Sequence, residues 1–198
     1  MEQIKIAKGN HKLGKSIYNS SLIPVQDCIN CEFCRHKCYA KRSWIQYPKV
    51  RRAWGHNSKL AHSDLLGWSA SHMEFIGDHK VERFRWMVAG DLLSEEMYLH
   101  IGAIAKEFPD TRFLLFTKAF DYIRDAHNEM PTNFKTMMSI WDGMVVDYSI
   151  KLPIARTVSA KVFDKIPNDT IEIHKCAGSC EDCSFCFDYV GDVVFKLH

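Results

Sequence analysis

All eight cysteines of this 198-residue chain fall in two eleven-residue windows, Cys28–Cys38 and Cys176–Cys186, and the 137 residues between them hold none. That distribution constrains the fold more than any other feature, because two distant segments must each close a compact loop of thiols. A disulfide framework would scatter its cysteines. Thiols two or three residues apart also rarely meet the roughly 4.4–6.8 Å Cα spacing, with converging Cβ vectors, that a disulfide needs. Thiolates converging on an ion or a cluster suit the spacing better. The first window, DCINCEFCRHKCYA, sets Cys28, Cys31, Cys34 and Cys38 in the order C-x2-C-x2-C-x3-C. The second, CAGSCEDCSFC, sets Cys176, Cys180, Cys183 and Cys186 in the mirrored order C-x3-C-x2-C-x2-C.

Zinc sites commonly split their ligands into two pairs a dozen or more residues apart, whereas each window here supplies four thiols by itself. Four thiolates suit zinc and iron–sulfur clusters alike, but the 2-2-3 spacing is that of bacterial ferredoxin loops. The reading is therefore one or two 4Fe-4S clusters on the eight cysteines, with zinc as the alternative. The windows could instead pool three cysteines each on one cluster. His36, inside the first window, and His174, beside the second, are further candidate ligands. His62, His72, His79 and His100 read as surface or core-edge residues, and Glu181 and Asp182 as charges that keep the second loop solvated.

The chain carries 26 Lys and Arg against 24 Asp and Glu, a net charge of +2, so the whole molecule has no strong field toward nucleic acid or membrane. Hydrophobic content of 46% suffices for a core. The amino terminus has no apolar signal segment, and no stretch of about 18 apolar residues could span a bilayer. The expectation is one α/β domain over residues 1–198 in the cytoplasm, where reduced thiols favour metal over disulfides. Locally the charge is uneven. Between Glu32 and Asp64 there is no acidic residue, while Arg35, Lys37, Lys41, Arg42, Lys49, Arg51, Arg52 and Lys59 are basic and interleaved with Phe33, Tyr39, Trp44, Tyr47 and Trp54. A solvated helix face over core aromatics is the plain reading of residues 35–59. Single-stranded nucleic acid is the functional one, and a third is that this charge offsets a net-negative cluster or attracts an acidic partner; an electron-donor protein is a separate candidate partner.

Up to residue 27 the chain reads as extended segments and turns, and residues 39–79 as short helices interrupted by Pro48, Gly55 and Gly67. A rhythm then appears: a strand over 83–91, an amphipathic helix over 94–108 capped by Ser94, a buried strand over 111–118, a helix over 119–127 and a strand over 134–142. Further β segments follow at 154–160, 170–175 and 191–198. Met137 and Met138 read as core filling. Alternation of strands and helices implies βαβ units and a mostly parallel sheet. In such sheets ligands sit beyond the carboxyl ends of the strands, which here carry Gly90, Asp91, Thr117, Lys118, Trp141, Asp142 and Gly143. No nucleophile elbow, phosphate loop or catalytic carboxylate pair stands out.

Three of these strand ends carry a resemblance. VAGDLL (88–93), LLFTKA (114–119) and MSIWDG (138–143) resemble, in order and separation, the second, third and fourth strand ends of the radical S-adenosylmethionine barrel. The resemblance implies a partial, open parallel β/α barrel with a cluster after its first strand, where Cys28–Cys38 lie. It also implies S-adenosylmethionine as cofactor, with Gly90, Asp91, Thr117, Ser139 and Asp142 lining the cofactor side, and cleavage of the reduced sulfonium to a deoxyadenosyl radical. KLGKSIYNSSLIP (12–24), CYA (38–40), RFRWMVAGDL (83–92), FTKAF (116–120) and CEDCSFCFD (180–188) resemble the phage gene product 88 family. That likeness implies cluster binding in a phage or prophage setting, and so the host cytoplasm. The alternative is a non-enzymatic module, either an electron carrier or a zinc-stabilised binding protein.

Overall fold

A computed structural model describes residues 3–167, 173–188 and 191–197. Its strands are β1 (Ala7–Asn10), β2 (Gly14–Ser20), β3 (Arg83–Trp86), β4 (Arg112–Thr117), β5 (Phe134–Ile140), β6 (Ile154–Val158), β7 (Ile173–Lys175) and β8 (Asp192–Lys196). They form one sheet in the order β1-β2-β3-β4-β5-β6-β8-β7. Only β1 and β2 pair antiparallel, and every other neighbouring pair is parallel. β1 and β7 are free edges, so the sheet is open. The expected strand over 170–175 is described only from Ile173; residues 170–172 lie outside the described residues.

Three helices link β2 to β3: α1 (Tyr39–Gln46), α2 (Pro48–Ser63) and α3 (Leu65–His79). Only one of the three expected interruptions is a break. Pro48 opens α2 at its first turn, where a missing N–H removes no helical bond. Gly55 and Gly67 lie inside helices, and the real stop is Asp64, whose carboxylate accepts the Gly67 N–H at 2.8 Å and starts α3. α4 (Glu95–Glu107) links β3 to β4 and is capped as expected, the Ser94 hydroxyl accepting the Met97 N–H at 3.1 Å. α5 (Phe120–Ile123) and a 3-10 turn over Ala126–Glu129 replace the single helix expected after β4. α6 (Ala160–Lys165), α7 (Cys180–Cys183) and α8 (Phe185–Asp188) lie between β6 and β8. Among the described residues no helix is long and apolar enough to cross a membrane.

The period-two alternation of the strands splits the core. Phe84, Trp86, Phe113, Leu115, Phe134, Met138 and Ile140 face the helices and pack with Trp68, Ile76, Met97, Tyr98, Ile101 and Ile104. Each fully buried side chain of this kind contributes about 1.5–3 kcal/mol. Ile17, Leu114, Met137, Ala155 and Val193 face the other way and pack against Phe187, Cys176, Cys180 and Cys186. The carboxy-terminal cysteine segment is thus the cover of the second face, and Met137 and Met138 are core filling on opposite faces.

His72 departs from its surface or core-edge reading. It is fully buried, with Nδ1 2.8 Å from the Trp68 carbonyl and its ring 4.1 Å from the Trp68 ring. Burial lowers its pKa from 6.5 to about 3. The unfolded chain therefore takes up a proton below about pH 6.5 that the native state refuses until about pH 3. The contribution is complete above that window and falls, at up to about 1.4 kcal/mol per pH unit, as the medium is acidified through it. Urea unfolding at about pH 7 and about pH 4.5 should show this loss in the wild type, and His72→Phe should flatten the difference. An equal acid loss in both proteins would contradict it.

Candidate metal centres

The first window follows directly from β2 and lies over the carboxyl ends of β3, β4 and β5. Val25, with φ of 73°, turns its N–H onto the Cys28 sulfur at 3.4 Å. Cys38 caps α1, its sulfur accepting the Lys41 N–H at 3.4 Å. Two 3-10 turns, Cys31–Phe33 and Arg35–Lys37, carry the loop between them, and all four thiols are partly buried. Asp27 fastens the entry: its carboxylate accepts the Ile23 N–H at 2.8 Å and lies 3.0 Å from His62 Nε2. Asn30 donates its side-chain amide to the Lys118 carbonyl at 2.8 Å, tying the loop to the end of β4. His36 is exposed.

The strand-end residues expected to line a cofactor divide into two groups. Gly90 has φ of 77°, and a Cβ there would sit 2.7 Å from Leu22 Cβ, so glycine lets the β3 end press against the chain entering the loop. Asp91 is 1% exposed. Its Oδ1 accepts the Thr117 hydroxyl at 2.5 Å and the Leu92 N–H at 2.8 Å, and its Oδ2 accepts the Lys118 N–H at 2.9 Å. The Asp91 N–H in turn donates to the Asp27 carbonyl at 2.6 Å. Asp91 and Thr117 therefore join the two strand ends to the loop. Ser139 is partly buried on the Met137 face of β5, and Asp142 is exposed; a Cβ on the adjacent Gly143 would lie 3.7 Å from the Phe33 ring of the loop.

Charge gathers at this rim. Burial opposes the Lys118 ammonium, but the charge of the Asp91 carboxylate, joined by Cys34, Cys28 and Cys31 in their thiolate form, outweighs it and holds its pKa above the usual value. Burial pushes the Cys28 thiol up to about 12 and raises Cys34, against the pull of Lys118. Tyr39 has a half-exposed ring but a hydroxyl tucked inward, donated to the Val88 carbonyl, and burial of that hydroxyl raises its pKa.

The second window assembles separately on the sheet face. Cys176, Cys180, Cys183 and Cys186 line one cavity together with Lys12, Arg85, Leu114, Phe116 and His174. No cysteine of the first window lines it, so the two windows do not pool their thiols there. The Cys176 N–H donates to the Val194 carbonyl at 3.0 Å and the Cys180 N–H to the Lys12 carbonyl at 2.8 Å. Glu181, read from the sequence as a solvating charge, accepts the Lys15 N–H at 3.1 Å and clamps α7 to the start of β2. His174 Nε2 lies 3.2 Å from the Cys183 sulfur, with its ring stacked on Phe185 at 4.1 Å. Burial pushes Cys186 up to about 12 and raises Cys180.

Among the described residues no three His, Cys, Asp or Glu side chains are grouped closely enough to hold a single metal ion. The donor set nevertheless fits a larger thiolate-bound group, since four thiols share a cavity that also contains cationic side chains. Sequence reasoning missed Arg85 and Lys12 in this lining. A signal existed: in RFRW, alternation puts the Arg side chains on the face opposite Phe84 and Trp86, where a charge needs a partner. The eight basic residues between positions 35 and 59 are all exposed, and none forms an ion pair among the described residues. Trp44 and Trp54 stack on each other at 6.5 Å.

Asp91→Ala should strand three donors and cost on the order of 3 kcal/mol or more in denaturant unfolding. Asp142→Ala, at an exposed position, should stay within about 0.5 kcal/mol of wild type. Equal effects would contradict the division between the two carboxylates.

Over residues 2–189 the chain matches the family model described as Gene product 88. Searches of curated proteins and of solved structures found no match.

Proposed function

The chain belongs to the Gene product 88 family, and on that footing we propose that it is an iron–sulfur protein with one 4Fe-4S centre at each cysteine window. The observation that carries this reading is the second window, whose four thiols line one cavity beside Arg85 and Lys12. A tetrahedral zinc at about 2.3 Å from each sulfur would hold them about 3.8 Å from one another. A four-iron cluster takes its thiolates further apart, one on each iron, and leaves a net negative charge for the cationic lining to meet.

At the first window we propose a centre of the radical S-adenosylmethionine type. Parallel strands β2, β3, β4, β5 and β6 neighbour one another in chain order, and the cysteine loop follows the first of them. The strand ends expected to line a cofactor lie on the loop's side of the sheet. When bound there, the cluster would supply one electron to the sulfonium of S-adenosylmethionine. Asp91, Thr117 and Lys118 hold the rim in register, Gly90 keeps it close to the loop, and Ser139 and Asp142 stand at the β5 end to meet the cofactor.

Anaerobic reconstitution should give a brown protein with about eight irons and about eight sulfides per chain. With S-adenosylmethionine and dithionite it should release 5′-deoxyadenosine, and Cys34→Ser should abolish the release. A loaded protein that binds no S-adenosylmethionine and releases none of this product would overturn the enzymatic reading and leave an electron carrier. A colourless protein carrying zinc would overturn the iron–sulfur reading itself.

A further inference from the structure

The face of β3 opposite the main core carries Arg83 and Arg85. Arg85 lines the cavity of the second window, its guanidinium lies over the Phe116 ring at 4.8 Å, and its Nε is buried without a hydrogen-bond partner. A guanidinium N–H taken out of water and left unpaired is costly, so such a group persists where something anionic completes it. The other cation in the lining, Lys12, has its ammonium over the Phe195 ring at 4.2 Å. Among the described residues no carboxylate lines this cavity. The side-chain acceptors it offers include the four cysteine sulfurs, with His174 already 3.2 Å from Cys183, and the Ser184 hydroxyl, which itself donates to Asp188. The guanidinium rests on Phe116 with its Nε turned inward, while the residue as a whole is partly buried.

We propose that Arg85 donates its free Nε–H to the sulfur of an anionic thiolate-bound cluster at Cys176, Cys180, Cys183 and Cys186, and by its charge raises that centre's reduction potential. The proposal rests on the iron–sulfur reading above. Reduction adds one negative charge to the centre, so a cation in a medium of low polarity favours the reduced form more than the oxidised one. Arg85 is a positioning and tuning residue, since its contact is with a ligand sulfur or cluster sulfide rather than with substrate. Its planar fork on Phe116 distinguishes it from Lys12, whose flexible ammonium can be spared with less effect.

The test uses the full chain with Cys28, Cys31 and Cys34 changed to Ser, so that only the carboxy-terminal centre is loaded, reconstituted anaerobically and titrated by optical and electron paramagnetic resonance spectroscopy. Arg85→Met should shift the reduction equilibrium at least tenfold toward the oxidised form, about 59 mV for one electron. Arg85→Lys, which keeps the charge, should recover most of the shift, and Lys12→Met should move it less than Arg85→Met. If Arg85→Met fails to load, Arg85→Gln, which also removes the charge, takes its place: a shift in the same direction supports the role and an unmoved potential overturns it. Full iron and sulfide content with unchanged potentials in both Arg85 variants overturns the role of Arg85 alone. Absence of iron and sulfide in the parent protein overturns the underlying reading.

Discussion

The Asp91 carboxylate is the interaction on which the arrangement of the first cysteine window depends. It sits out of water at the end of β3 and accepts from the Thr117 hydroxyl and the Leu92 and Lys118 backbone amides, while its own amide reaches the Asp27 carbonyl. One side chain thereby fixes the relative height of two parallel strands and the chain entering the cysteine loop. A buried carboxylate is tolerable only when its oxygens are satisfied. The three donors meet that condition, and the Lys118 ammonium adds opposite charge. The loop can then hold four partly buried thiols over a rim that these bonds join together.

The second window solves a different problem. An open sheet with helices on one side leaves its other face apolar, and this chain covers that face with its last cysteine segment rather than with another helix layer. The cover is held at both ends, by Cys180 and Glu181 on the start of β2 and by Cys176 on β8. Thiols therefore do two jobs there, packing against Leu114, Met137 and Val193 and converging on a cavity beside Arg85. Folding of the sheet thus brings these four thiols together, and on the reading proposed above it would be coupled to assembly of the centre.

Much of this was legible in the sequence, for identifiable reasons. β3, β4, β5 and α4 announce themselves through clean period-two and helical patterns, and Ser94 marks its helix start. β1 and β2 read only as extended segments among turns, because Gly9 and Gly14 interrupt them and β2 ends in the polar Asn19 and Ser20. Both are buried, and Asn57 from α2 bonds the neighbouring Ser20 and Ser21, a partnership 36 to 37 residues away in sequence. Gly55 and Gly67 look like breaks because a local rule cannot see the tertiary packing that holds α2 and α3. The thiols were plain, but their supports were not. Glu181 and Arg85 owe their roles to contacts with distant strands, and only the charge inside an apolar strand hinted at the second of them.

The central claim is that two cysteine windows on one open sheet each hold an iron–sulfur centre. X-ray absorption at the iron and zinc edges of protein purified without oxygen tests it most directly. The account predicts an iron edge with sulfur neighbours and a short iron–iron shell, diminished by about half when Cys176, Cys180 and Cys183 are changed to Ser. A zinc edge with four sulfurs at about 2.3 Å and no metal–metal shell would contradict it.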